Sequence, residues 1–255
     1  MLLNRIVCRV MVELTEKDKQ RYTRQMLIPG WGDDAQRKIK SSRVFIAGAG
    51  GLGSPVSFNL AVAGVGTIRI CDFDSIEISN LNRQFLHDDS RLGMKKAESA
   101  KLTLMRLNPD INVEPIVEKI KEENVDDLIG DSDLVIDCMD NFPTRFILND
   151  FSVRKRIPMV HGSIWGLDGR VTFINPPETP CLACIFKDSP PKEVFPVLGA
   201  TPGITGIIQA MEALKFLAGI GRLLKGRLLC LDYLEMKFFE VKIRRDPNCE
   251  VCSGI

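Results

Sequence analysis

RVFIAGAGGLGS, residues 43 to 54, runs from a short apolar stretch into a turn carrying Gly48, Gly50, Gly51 and Gly53. A Cβ in such a turn would block its closure and keep backbone N–H groups from phosphate oxygens, while a following helix adds partial positive charge at its N-terminus. The surroundings sharpen this reading. A β-type run precedes the glycines, an apolar helical pattern from Pro55 to Ala63 follows, and a second strand ends at Asp72, 19 residues past Gly53. A carboxylate at that place accepts hydrogen bonds from ribose hydroxyls, so the stretch predicts a nucleotide site. A glycine turn that merely joins strand to helix is the alternative.

Downstream, TIRICDFD (67–74) completes a βαβ unit, and the loop DSIEISNLNRQFLHDDSRLG (74–93) carries too many placed polar residues for a simple connector. A helix from Gly93 to Leu107, a strand at INVEPIV, a short helix from Val125 to Ile129 and a strand at DLVIDC (133–138) follow. A helix from Phe142 to Lys155 and the strand PMVHGS (158–163) continue the alternation. Beyond 163, WGLDGRVTFIN and GRLLCLDYLEMKFFEVKI read as β-hairpin material, with a helix from Thr205 to Ala218 and a proline-rich crossover loop (187–203) between them. The prediction is therefore an α/β protein: a Rossmann-like, doubly wound, mainly parallel sheet extended by antiparallel strands. Ligands of such sheets bind at the strands' carboxyl ends, where the glycine turn, Asp72 and Asp140 all fall. Phe238 and Phe239 read as core, with a protein-docking surface as the other reading.

Upstream, residues 15–40 form a polar, basic helical arm of two short helices, capped by Thr15 and, after the Pro29-Gly30 break, by Asp33. Residues 1–14 read as an N-terminal extension whose first ten residues are an optional product of start-site choice, since Met11 precedes an ordinary start. They lack the length and cleavage site of a secretory signal, so the cytoplasm is the expected compartment. The expectation is one domain over 15–255, with the nucleotide-binding core at 41–163. With 34 basic against 33 acidic residues, no global field favours nucleic acid or an anionic membrane, and no apolar run reaches the ~20 residues of a bilayer span.

Cys181-Leu-Ala-Cys184 and Cys249-Glu-Val-Cys252 are two CxxC knuckles. Four thiolates surround one Zn²⁺ tetrahedrally and leave no open position, which makes such a site structural. It would staple the C-terminal tail to the base of the crossover loop. A redox CxxC lacks its usual βαβ setting here. Cys8, Cys71, Cys138 and Cys230 sit in or beside apolar runs and read as core.

Taken in order, RYTRQ, GAGGLGS, CDFDSIEISNLNRQFL, GMKK, DCMDN, CLAC and NCEVC resemble the ubiquitin-activating-enzyme-like adenylyltransferases, specifically the MoeB, ThiF and HesA group, over residues 15 to 255. The resemblance implies adenylation of the C-terminal Gly-Gly carboxylate of a small ubiquitin-like sulfur-carrier protein by ATP, with release of pyrophosphate, in molybdopterin or thiamin synthesis or related sulfur transfer. It places Gly51, within the turn of Gly48, Gly50 and Gly53, at the phosphates and Asp72 at the ribose. Ser79, Asn80, Leu81, Asn82, Arg83 and Gln84 line the nucleotide, Arg83 and Lys96 counter phosphate charge, and Asp140 binds Mg²⁺ with Asn141 beside it. Arg21 would reach the active site of a second subunit, implying a homodimer, and residues 164–255 would dock the carrier and hold zinc.

The crossover loop contains no cysteine, unlike relatives that form a thioester there, so adenylation alone is expected. Nor is an appended rhodanese domain expected, and the loop's prolines read as a lid over an extended tail. Adenylation of a tRNA base or a peptide, and an NAD-dependent oxidoreductase, are the other readings; the balanced charge speaks against tRNA.

Overall fold

The computed structural model describes residues 11–187 and 196–254. The first ten residues of the N-terminal extension and the centre of the expected lid lie outside the described residues.

Helix α1 (Glu16–Met26) opens on a reciprocal cap in which Asp18 N–H donates to Thr15 Oγ1 and Thr15 N–H to the Asp18 carboxylate. Helix α2 (Gly32–Ser41) starts two residues earlier than a cap at Asp33 requires, with Trp31 at the cap and no side-chain cap bond. Asp33 instead sits in the first turn, where its charge favours the helix dipole. The following elements are β1 (Arg43–Ala47), α3 (Gly53–Ala63), β2 (Thr67–Cys71), α4 (Lys96–Leu107), β3 (Asn112–Ile116), α5 (Val125–Ile129), β4 (Leu134–Asp137) and α6 (Phe142–Lys155). Next come β5 (Met159–Trp165), β6 (Asp168–Ile174), α7 (Leu182–Ile185), α8 (Ala200–Ala218), β7 (Arg227–Asp232) and β8 (Lys237–Lys242).

The strands form one sheet in the order β3-β2-β1-β4-β5-β6-β7-β8. Neighbours from β3 through β5 are parallel, and those from β5 through β8 antiparallel, as the sequence predicts. Alternation along β1 sets the layers. Val44 and Ile46 face a core shared with α2, α3, α4 and α8, while Phe45 and Ala47 face one built with α5 and α6. The arm docks on the first layer through buried Tyr22, whose hydroxyl accepts from Asn108 Nδ2 at 2.9 Å.

Other expectations change as well. Helix α4 begins at Lys96 because Gly93 adopts φ +82° in the preceding turn. Phe238 and Phe239 are 52% and 55% exposed, since β8 is the edge strand and every residue on it is exposed.

Strand order reverses between β1 and β4, and Ala47 pairs with Asp137 at their carboxyl ends. The glycine turn and the Met139-Asp140 turn therefore leave the sheet side by side, at the crevice such sheets offer to ligands.

Candidate active site

The glycine turn is built so that side chains do not fit. A Cβ on Gly53 would lie 2.0 Å from Gly48 O, and Gly48 itself has φ +100° with Cys138 O 2.9 Å from the Cβ it lacks. Helix α3 has no side-chain cap; Ser54 N–H donates to Gly50 O at 2.9 Å and Pro55 has no N–H, so the helix offers an anion its Gly53 N–H and the partial positive charge of its N-terminus.

Asp72, just past β2, accepts Ala49 N–H at 2.8 Å through Oδ2 and Asp74 N–H at 2.9 Å through Oδ1. Burial pushes its carboxyl up, opposed by the Ala49 N–H and by the charge of Lys96. Lys96, buried at the first turn of α4, stands 3.3 Å from Asp74 Oδ2. Arg83 folds back on its own turn, donating to Ser79 O at 2.9 Å and Asn82 Oδ1 at 2.8 Å. Its Cδ lies 3.6 Å, and the Pro202 ring 3.2 Å, from the point a Cβ on Gly51 would occupy. The start of α8 thus closes over the turn. Asn80 is turned inward, its Oδ1 accepting Glu77 N–H at 3.1 Å, while Ser79 and Asn82 are exposed and Leu81 is half-buried. Gln84 is buried beside Gly50 with Oε1 unpartnered among the described residues, an acceptor available to a ligand's donor.

Across the crevice, Asn141 caps α6, its Oδ1 accepting Thr144 N–H at 3.0 Å. That leaves the exposed Asp140 carboxylate, which accepts from Asn141 Nδ2 at 3.2 Å, free of helix capping. Carboxylate, lysine, arginine and an uncapped helix N-terminus on one sheet edge suit a nucleoside triphosphate with a divalent cation: the cations meet phosphate charge and Asp140 is a hard oxygen ligand.

Arg21 is not brought here within the chain. It contacts Leu107 O at 3.5 Å and Asp110 at 3.6 Å, past the far end of the 12-residue α4 whose first residue is Lys96. His87 and Pro202 escaped the sequence reading. His87 Nε2 reaches Ala49 O at 3.0 Å while Nδ1 faces Ser99 Oγ at 2.9 Å, and burial pushes its pKa down to about 4. Scarcity was the available signal: the chain has 2 histidines, and both are buried near this edge.

The four knuckle cysteines converge. Cys181 Sγ lies 3.9 Å from Cys184 Sγ and 3.7 Å from Cys249 Sγ, Cys184 Sγ lies 3.5 Å from Cys252 Sγ, and all four fall within 4.8 Å of one another. A tetrahedron with zinc–sulfur arms of about 2.3 Å has edges of about 3.8 Å, so the donor set fits structural zinc. Asp246 N–H donates to Cys184 Sγ at 3.4 Å, the kind of outer bond that supports a thiolate.

No helix among the described residues is long and apolar enough to cross a membrane.

The ThiF family model matches residues 22–251. The chain is 43% identical over 252 residues to the adenylyltransferase and sulfurtransferase MOCS3 of Drosophila yakuba, covering 96% of this chain and 56% of that protein. It therefore spans about half the length of that relative. It is also 43% identical over 239 residues to the SAMP-activating enzyme E1 of Haloferax volcanii, covering 91% of this chain and 88% of that one. Among solved structures, E. coli MccB with ATP shares the fold, with a TM-score of 0.83, 24% identity, and coverage of 94% of this chain and 77% of that one. The chain belongs to the ThiF family of the ubiquitin-activating-enzyme-like superfamily.

Proposed function

We propose that the chain is an ATP-dependent adenylyltransferase that activates the C-terminal Gly-Gly carboxylate of a small ubiquitin-like sulfur-carrier protein. The observation that carries this reading is the meeting, at one strand-order reversal, of an uncapped helix N-terminus, Arg83, Lys96 and an exposed Asp140. The relatives support the acceptor class, one named an adenylyltransferase and sulfurtransferase and the other a SAMP-activating enzyme.

In this reaction a carboxylate oxygen of the carrier tail bonds to the α-phosphorus, the bond to the β-bridging oxygen breaks, and pyrophosphate departs with the electron pair. Two anions must approach, so electrostatic stabilisation dominates. The glycine turn and the N-terminus of α3 receive phosphate oxygens, Asp72 receives the ribose hydroxyls, and Ser79 to Gln84 line the nucleotide. Arg83 and Lys96 oppose the charge that grows on the leaving pyrophosphate. Asp140, beside Asn141, would hold Mg²⁺, which would supply charge neutralisation at the phosphate oxygens. A sulfur nucleophile from an external donor then bonds to the acyl carbon as the acyl–phosphate bond breaks and AMP departs.

A homodimer completes the site, with Arg21 supplied by the second copy. Exposed Ile204, Ile207 and Met211 on α8 and Val62 on α3, which packs against it, form an apolar face suited to that contact. The seven described cysteines are free of disulfides, which fits the cytosol.

Pyrophosphate release on adding each Gly-Gly carrier to enzyme, ATP and Mg²⁺ tests the reading. Asp140→Ala is expected to abolish release, and Cys138→Ala, a buried core change, to retain it. Stabilisation of the protein by NAD and not by ATP with Mg²⁺ would sink the assignment.

A further inference from the structure

Beneath the Met139-Asp140 turn lies a buried trio, an ion pair with a histidine beside it, that the reaction does not itself require. Asp137, at the end of β4, and His161, on β5, are fully buried, and Arg145, on α6, is 5% exposed. Asp137 Oδ1 accepts Met139 N–H at 3.0 Å. Arg145 Nη2 donates to Met139 O at 2.5 Å and to Gly162 O at 3.4 Å, with its Nε 3.6 Å from Asp137 Oδ2. His161 Nδ1 stands 2.6 Å from the same Asp137 oxygen. From the opposite layer, Gln209 Nε2 on α8 donates to Asp137 O at 2.8 Å.

Both polar groups of Met139, the residue before Asp140, are thereby fixed from below. Burying such a trio brings little net stability, because desolvation of the ions offsets their attraction, and apolar residues of the same volume serve a core equally well. Burial also pushes the His161 imidazole down toward its neutral form, so its Nδ1–H donates to Asp137 and Arg145 is the countercharge.

We propose that Asp137, Arg145 and His161 are positioning residues that set the pose of Asp140, and through it the affinity of the active site for the divalent cation that accompanies ATP. The inference rests on the adenylyltransferase reading. Outer hydrogen bonds that orient a metal-binding carboxylate typically govern about 10- to 100-fold in metal affinity.

Arg145→Lys keeps the positive charge near Asp137 but lacks the fork that also reaches Met139 O. The paired variant Asp137→Asn with Arg145→Met removes both charges together and leaves no unpaired ion. Melting temperature is measured for wild type and both variants without ligand, with ATP and EDTA, and with saturating ATP under a Mg²⁺ titration. Mn²⁺ binding followed by electron paramagnetic resonance gives a second readout. Wild type should gain with ATP and gain again with Mg²⁺. The variants should keep the ATP increment yet need about tenfold more Mg²⁺, or Mn²⁺, for half of the second increment. Superimposable metal titrations overturn the positioning role, and so does equal loss of the ATP and Mg²⁺ increments, which marks a purely structural trio. Absence of both increments in wild type instead removes the ATP reading and this inference with it.

Discussion

His87 shows how a residue away from the chemistry fixes the phosphate turn. The Ala49 peptide is held at its N–H by Asp72 and at its carbonyl by His87, so the turn keeps its shape without help from a ligand. The cost appears in acid. Burial holds the folded pKa at about 4, below the ordinary 6.5, so the unfolded chain takes up the proton first as pH falls. The stability associated with neutral His87 is complete above pH 6.5 and lost between pH 6.5 and 4. Urea titrations at pH 7 and pH 5 should show wild type losing about 2 kcal/mol more than His87→Gln, and equal losses would remove the assigned role. Asp72 was legible in the sequence because its spacing from the glycines is set by one βαβ unit. His87 was not, since its partners Ala49 and Ser99 meet it only after β1, α4 and the intervening loop have packed.

At the scale of elements, α8 joins both halves of the crevice. Pro202 lies over the glycine turn, Gly206 meets the first turn of α3, and Gln209 holds the end of β4. The sequence predicts this helix from Thr205, with Pro202 and Gly203 at the end of the crossover loop. The structure begins it at Ala200, which places Pro202 in the first turn, where a missing N–H costs nothing. Proline there marks a helix beginning, and position alone separates the two meanings. Gly206 supplies a test. A Cβ there would come 2.4 Å from Pro55 Cγ and 2.8 Å from Leu52 O, neither able to swing aside. Alanine brings roughly 1 kcal/mol of helix propensity, but overpacking costs about 1–3 kcal/mol and should outweigh it. Gly206→Ala should therefore melt lower and, because the strain falls on the phosphate-binding turn, raise KM for ATP. A higher melting temperature with unchanged KM would contradict this account of the α3–α8 contact.

For the whole molecule, the doubly wound class and the change from parallel to antiparallel pairing were legible because helices alternate with strands up to β5 and hairpins follow, whereas the strand order comes from the structure. Exposure of β8 was not, because its FFEV run reads like core and only the finished sheet shows it as the edge strand with every residue exposed among the described residues. The knuckles were legible as donors, and their convergence at tetrahedral spacing follows from the fold. Cys249→Ser should lower bound zinc below one equivalent per chain, by elemental analysis, and expose residues 246–254 to proteolysis while the nucleotide half persists; a tail still resistant without metal would contradict the staple. The same staple alters the covalent topology of the chain. With zinc in place, the 64 residues between Cys184 and Cys249 close into a ring that contains α8, β7 and β8, with β1 to β6 on one long tail. Closing a ring of that size removes about 4 kcal/mol of conformational freedom from the unfolded chain. A metal-loaded polypeptide therefore begins each refolding attempt with its last two strands already tethered near β6, whereas a metal-free one must search for that edge from an open end.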